Sequence, residues 1–198
     1  MKKSLGYEIF MTALVLVVIA GVAGALLGLV NYFTEVDAEE LLARKATAVY
    51  DGNLVPYDAG NTVLAPIENK GGSVLAVYVP DKPSDVYVIV AEGTGAYKGT
   101  LQLLVNITGG KIVKIASYEA NETPGLGSKA LQEGYFEQYY GKKITPDFPG
   151  FALVKGKASS FEEVSAVSGA SKSSTAVTNA VNAAIKWYQE RVLKGGER

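Results

Sequence analysis

Hydrophobic and polar positions divide the chain into two unlike parts. From Ile9 to Val30 no side chain is charged, and Thr12 is the only weakly polar one. A helix rising about 1.5 Å per residue over this stretch can cross a hydrocarbon core of about 30 Å. Beyond it the pattern shortens. Val74–Val79, Val86–Glu92, Thr100–Ile107 and Ile112–Tyr118 are rich in Val, Ile and Tyr and are separated by Pro, Gly and Asp. They are predicted strands, and Thr108-Gly109-Gly110-Lys111 is the predicted hairpin turn between the last two. Helical spacing returns at Ser128–Tyr140, with Leu131, Tyr135, Phe136 and Tyr139 on one face. It returns again from about Ser173 to Leu193, where Val177, Val181, Ala184, Ile185, Tyr188 and Val192 form an apolar stripe. The expectation is an α+β fold: one N-terminal transmembrane helix, then a single domain with an antiparallel sheet and flanking helices. The predicted divisions are residues 1–8, a span at 9–30, a juxtamembrane segment at 31–50 and a domain at 51–198. In the juxtamembrane segment, Asp37 and Glu40 form a capping-box pattern that opens a helix running to Tyr50.

Charge flanking the apolar run sets an expected orientation. Lys2 and Lys3 precede it, and Glu35, Asp37, Glu39 and Glu40 follow it. The positive-inside rule puts the N-terminus in the cytoplasm and the domain on the periplasmic or extracellular side of the plasma membrane. Two rival readings exist. Ala23-Gly24-Ala25 matches a signal-peptidase site, but Leu26–Val30 continues the apolar run past it. Gly6-Tyr7-Glu8 resembles a pilin leader, yet Leu5 stands where a basic residue belongs and Glu8 comes too early. Ala20, Gly24 and Gly28 recur every four residues, a small-residue stripe that suits close approach of another membrane helix.

Composition narrows the chemistry. The chain of 198 residues is 48% apolar, with 19 basic and 20 acidic side chains, so nucleic acid is not an expected partner. Cys and His are both absent, which removes disulfides, thiolate clusters, the Ser-His-Asp triad and most zinc sites. No metal site and no catalytic residue is expected. Hydroxyls, carboxylates, lysines or a borrowed cofactor must supply any chemistry.

Three glycine-containing segments bear on phosphate or ligand binding. Gly93-x-Gly95-x-x-x-Gly99 leads into a predicted strand rather than a helix, so it reads as a hairpin turn and not a dinucleotide fingerprint. Ser168-Gly169-Ala170-Ser171-Lys172-Ser173-Ser174-Thr175 precedes the last helix, whose unpaired N–H groups favour an anion. Gly169 and Ala170 admit a phosphate, and Lys172 adds charge; a plain serine-rich cap is the alternative. Glu122-Thr123-Pro124-Gly125-Leu126-Gly127 connects a strand to a helix, and Leu126 beside a hydroxyl and a carboxylate could line a planar ligand.

The last two segments, behind one anchor, resemble the FMN-binding G subunits of the Rnf ferredoxin:NAD oxidoreductase complexes, and the related C subunit of the sodium-pumping NADH:quinone reductase. The likeness runs from Val22–Asn31 through Gly95–Gly99, Asn106–Ile112, Glu122–Gly127 and Lys155-Gly156 to Ser168–Val177. The resemblance implies FMN held covalently, its phosphate esterified by a flavin transferase to the last hydroxyl of an Asp-x-x-Ser/Thr-Gly-Ala-Thr motif. Ser168, Gly169 and Ala170 match that motif; Ser171 stands at the acceptor position and Ser165 at the Asp position. Ser173 is a second candidate acceptor, with Ser174 beside it. The family likeness places Glu122, Thr123, Leu126 and Gly127 beside the flavin ring, and gives Lys155 the task of stabilising its reduced, anionic form. The implied role is electron relay inside an ion-translocating oxidoreductase, with the other subunits of the complex as partners and the flavin carrying the redox chemistry. Three rivals are the quinone-reductase subunit, an anchored FMN-domain reductase acting alone, and a non-redox anchored interaction domain.

Overall fold

A computed structural model describes residues 5–34, 45–57 and 71–195. It divides into two compact units, Met1–Leu41 and Leu42–Arg198. In the first, helix α1 (Leu5–Thr34) is continuous. Its stretch Gly6–Phe33 has a mean hydropathy of 2.8 and none of it is buried within the protein, so it is long and apolar enough to cross a membrane. An apolar surface of this extent has no stable place in water. Most of the predicted helix at Asp37–Tyr50 lies outside the described residues. Its described end is a turn in which the Tyr50 N–H donates to the Ala46 carbonyl at 2.9 Å.

The second unit is built on a five-stranded antiparallel meander: β1 (Leu54–Pro56), β2 (Gly72–Pro80), β3 (Val86–Ala96), β4 (Gly99–Thr108) and β5 (Lys111–Ala120), in that spatial order. All four predicted strands are present, each extended by a few residues. Gly109 and Gly110 join β4 to β5 with φ of 58° and 71°, the left-handed pair that a two-residue hairpin needs. The Gly93–Gly99 segment is a hairpin too: Ala96 pairs with Gly99, leaving Tyr97 and Lys98 at the tip.

Both faces of the sheet centre are covered. Tyr87, Ile89 and Ala91 of β3 join Leu103, Val105 and Ile107 of β4 beneath helix α3 (Ser171–Tyr188). On the opposite face Val88, Val90 and Leu104 pack with Val49. Asn106, 3% exposed, donates from Nδ2 to the Val49 carbonyl at 2.7 Å and ties that segment to the sheet. Helix α3 approaches closely because its buried face is rich in alanine and the sheet offers glycine beneath it. A Cβ on Gly93 would lie 1.8 Å from the Ala176 carbonyl oxygen.

The predicted helix at Ser128–Tyr140 is broken. A 3-10 turn (Gly127–Leu131), helix α2 (Glu133–Phe136) and a second 3-10 turn (Glu137–Tyr139) replace it, with Gln132 extended between the first two. Gly134 disfavours a longer helix. The expected apolar face survives: Tyr135, Phe136 and Tyr139 are buried. Tyr139 also shares a hydrogen bond of 2.9 Å with Thr178 of α3. Strands β6 (Ala152–Val154) and β7 (Glu163–Ser165) form a small parallel pair, and β7 leads into the loop before α3. The last helix ends in a π turn at Gln189–Leu193, where the Gln189 amide donates to the Thr145 and Phe148 carbonyls.

Candidate functional site

The N-terminus of α3 opens into a cleft of about 480 Å³, within the range of small-molecule sites. Two remote stretches of sequence form most of its wall. Glu122, Thr123, Leu126 and Gly127 come from the loop after β5; Gly169, Ala170, Ser171, Lys172 and Ser173 come from the start of α3. Nine predicted site residues therefore meet at one place. Three do not line it. Ser168 is exposed just before Gly169, and Ser174 is buried with its hydroxyl accepting the Val167 N–H at 3.0 Å. Lys155 is exposed immediately after β6. Tyr97, at the β3–β4 hairpin tip, is the lining residue that sequence reasoning missed. Its signal was the Gly95–Gly99 hairpin, read for turn chemistry and not for what the tip carries.

Local chemistry explains the shape. Leu126 donates its N–H to the Thr123 carbonyl across Pro124-Gly125, with Gly125 at φ 76°, the geometry of a type II turn. That turn leaves Leu126 52% exposed at the cleft. Gly169 at φ 78° turns the chain into the helix, and Ala170 is the N-cap without a side-chain cap. Ser174 donates its N–H to the Ala170 carbonyl at 2.9 Å, so the ladder begins there. The N–H groups of Ser171, Lys172 and Ser173 have no acceptor within the helix.

The two walls are joined by one short hydrogen bond. Ser173 Oγ donates to Glu122 Oε2 at 2.7 Å. The carboxylate lies over the α-carbon of Gly127, where a Cβ would come within 2.0 Å of it. Ser173 is only 2% exposed, whereas Ser171 is exposed and its hydroxyl makes no hydrogen bond among the described residues. The Lys172 ammonium sits over the Tyr97 ring, 5.8 Å from its centroid. Chemically the cleft combines unpaired N–H donors and a cation for an anion, an accessible hydroxyl, and the apolar Leu126 and Tyr97 for a flat ring. No cluster of metal-ligating side chains occurs among the described residues.

Residues 96–186, which span the cleft, match the family model of the FMN-binding domain. The fold also resembles that in the crystal structure of Shewanella oneidensis NqrC, with a TM-score of 0.50 at 18% identity, covering 76% of this chain and 91% of that one. At the level of the whole sequence, the chain is 31% identical over 194 residues to the G subunit of the Na(+)-translocating ferredoxin:NAD(+) oxidoreductase complex of Acetobacterium woodii, covering 91% of this chain and 92% of that protein. It is 35% identical over 112 residues to the G subunit of the proton-translocating ferredoxin:NAD(+) oxidoreductase complex of Clostridium ljungdahlii, covering 56% of each. The chain belongs to the family of ferredoxin:NAD(+) oxidoreductase complex G subunits.

Proposed function

We propose that this chain is the membrane-anchored flavoprotein component of an ion-translocating ferredoxin:NAD(+) oxidoreductase complex, and that it relays electrons through an FMN ester-linked to Ser171. The observation that carries the reading is the meeting of the 122–127 loop and the 169–173 helix start around one cleft. The residues fit FMN. The N–H groups of Ser171, Lys172 and Ser173 would receive its phosphate at the positive end of α3. Leu126 and Tyr97 would flank its ring. The bound group would supply reversible electron transfer; the chain's residues bind and orient it.

Exposure supports Ser171 over Ser173 as the acceptor. The Ser171 hydroxyl is open, while that of Ser173 is buried and engaged by Glu122. In the attachment step the Ser171 hydroxyl loses its proton, its oxygen bonds the FMN phosphorus of FAD, and AMP departs. A separate flavin transferase catalyses this step. Segment 9–30 is the anchor, the N-terminus is cytoplasmic, and the flavin domain lies on the outer side, facing the membrane subunits of the complex.

Co-expression with a flavin transferase tests the reading. Denaturing-gel fluorescence and an intact mass raised by one FMN less water are expected, with both lost in Ser171→Ala. Ser173→Ala keeps the covalent flavin. Fluorescence retained in Ser171→Ala moves the acceptor elsewhere, and absence of flavin from both native and denatured protein refutes the flavoprotein reading. Copurification of the tagged chain with other membrane subunits separates the complex from a reductase acting alone.

A further inference from the structure

Among the described residues lining the cleft, Lys172 is the only cation and Glu122 the only anion. Glu122 is engaged by Ser173, and Lys172 makes no ion pair among the described residues. Lys172 is the second residue of α3, close to the positive end of the helix dipole, where another positive charge is unfavourable. The position is rational if the cleft holds a group that becomes negative. The charge is also aimed. Contact with the Tyr97 ring carries it from the helix toward the hairpin tip, a different side of the cleft from the Leu126 loop.

We propose that Lys172 is a positioning charge that raises the reduction potential of the bound flavin, with Tyr97 holding its ammonium near the ring. This rests on the FMN reading above. A donor delivering two electrons, with one proton taken from water, leaves one negative charge on the ring system. A cation held nearby favours that product over the neutral oxidised ring. The assignment differs from that made by family likeness, which gives the task to Lys155, a residue that does not line the cleft.

The test is redox titration of the flavin-loaded full chain in detergent, with dithionite as donor and a reference dye. Lys172→Met is expected to lower the oxidised-to-reduced equilibrium constant about tenfold, which is about 30 mV for a two-electron couple. Lys172→Arg retains the wild-type potential. Raising the salt toward 1 M shrinks the difference between wild type and Lys172→Met, because the Debye length falls to about 3 Å. A potential unchanged in Lys172→Met, or a drop seen only in Lys155→Met, overturns the proposal while leaving the flavoprotein reading intact. A chain that carries no flavin in any form overturns both.

Discussion

Gly127→Ala is expected to unfasten the two walls of the cleft without unfolding the domain. The new Cβ would stand 2.0 Å from Glu122 Oε2 and 2.6 Å from Ser173 Oγ, against an ordinary contact of at least 3.4 Å. Both obstructing atoms are side-chain ends, so they move and the backbone stays. The bond of 2.7 Å between them is then lost. A hydrogen bond to a charged group is worth about 1.5–3 kcal/mol, and the half-buried setting of Glu122 favours the low end. Gly→Ala returns about 0.4–1 kcal/mol by restricting the unfolded chain. The net loss is about 1 kcal/mol, or roughly 2–4 °C in melting temperature for a domain of about 150 residues. Near-UV circular dichroism of the detergent-solubilised chain would follow this melt, since the buried aromatics among the described residues all lie in the second unit. The same change in a Ser173→Ala background should cost much less, because the bond and one of the clashes are already gone. Equal losses in the two backgrounds would refute the argument and show that Gly127 acts on backbone packing.

Gly93→Ala should behave quite differently, since its Cβ would meet the backbone carbonyl of Ala176 at 1.8 Å; a loss of about 4 kcal/mol or more is expected by thermal melting, and a loss under about 1 kcal/mol would show that α3 can lift freely from the sheet. Burial pushes the phenols of Tyr140 and Tyr188 up to about 12, the charge of Asp85 adding to the effect at Tyr188. The folded state therefore keeps protons that the unfolded chain releases near pH 10, so stability is full below about pH 10 and falls as pH rises through 12. Denaturant melts between pH 9 and 12 should show that fall, less steeply in Tyr140→Phe and Tyr188→Phe; a flat wild-type profile would contradict it. Asn106-Ile107-Thr108 has the form of a glycosylation sequon, but Asn106 is buried and bonded to Val49, so mass spectrometry after expression in a glycosylating host should find that asparagine unmodified.

Local pattern determined a large part of this protein. An uncharged apolar run can only be satisfied as a helix in a membrane or an equivalent apolar setting. Strands β2–β5 follow from β-branched runs between turn residues, and Gly109-Gly110 closes its hairpin because two successive positive φ angles need residues without a Cβ. The two segments of the site were also legible, as turn and cap chemistry written in adjacent residues. What the pattern left open depends on contacts between distant parts of the chain. The 128–140 helix breaks where Gly134 meets a surface whose anchor points, Thr178 on α3 and Ile115 on β5, come from elsewhere in the chain. Tyr97 reaches the cleft only because the β3–β4 hairpin stands beside α3, and Lys155, though close in sequence to the helix start, lines no part of it. Ser171 and Ser173 are the same residue type two positions apart. Only the Glu122 carboxylate, 51 residues from Ser173, makes one of them a buried tie and leaves the other an open hydroxyl. A one-dimensional pattern carries periodicity and backbone preference, but which hydroxyl faces water is decided when separate elements pack.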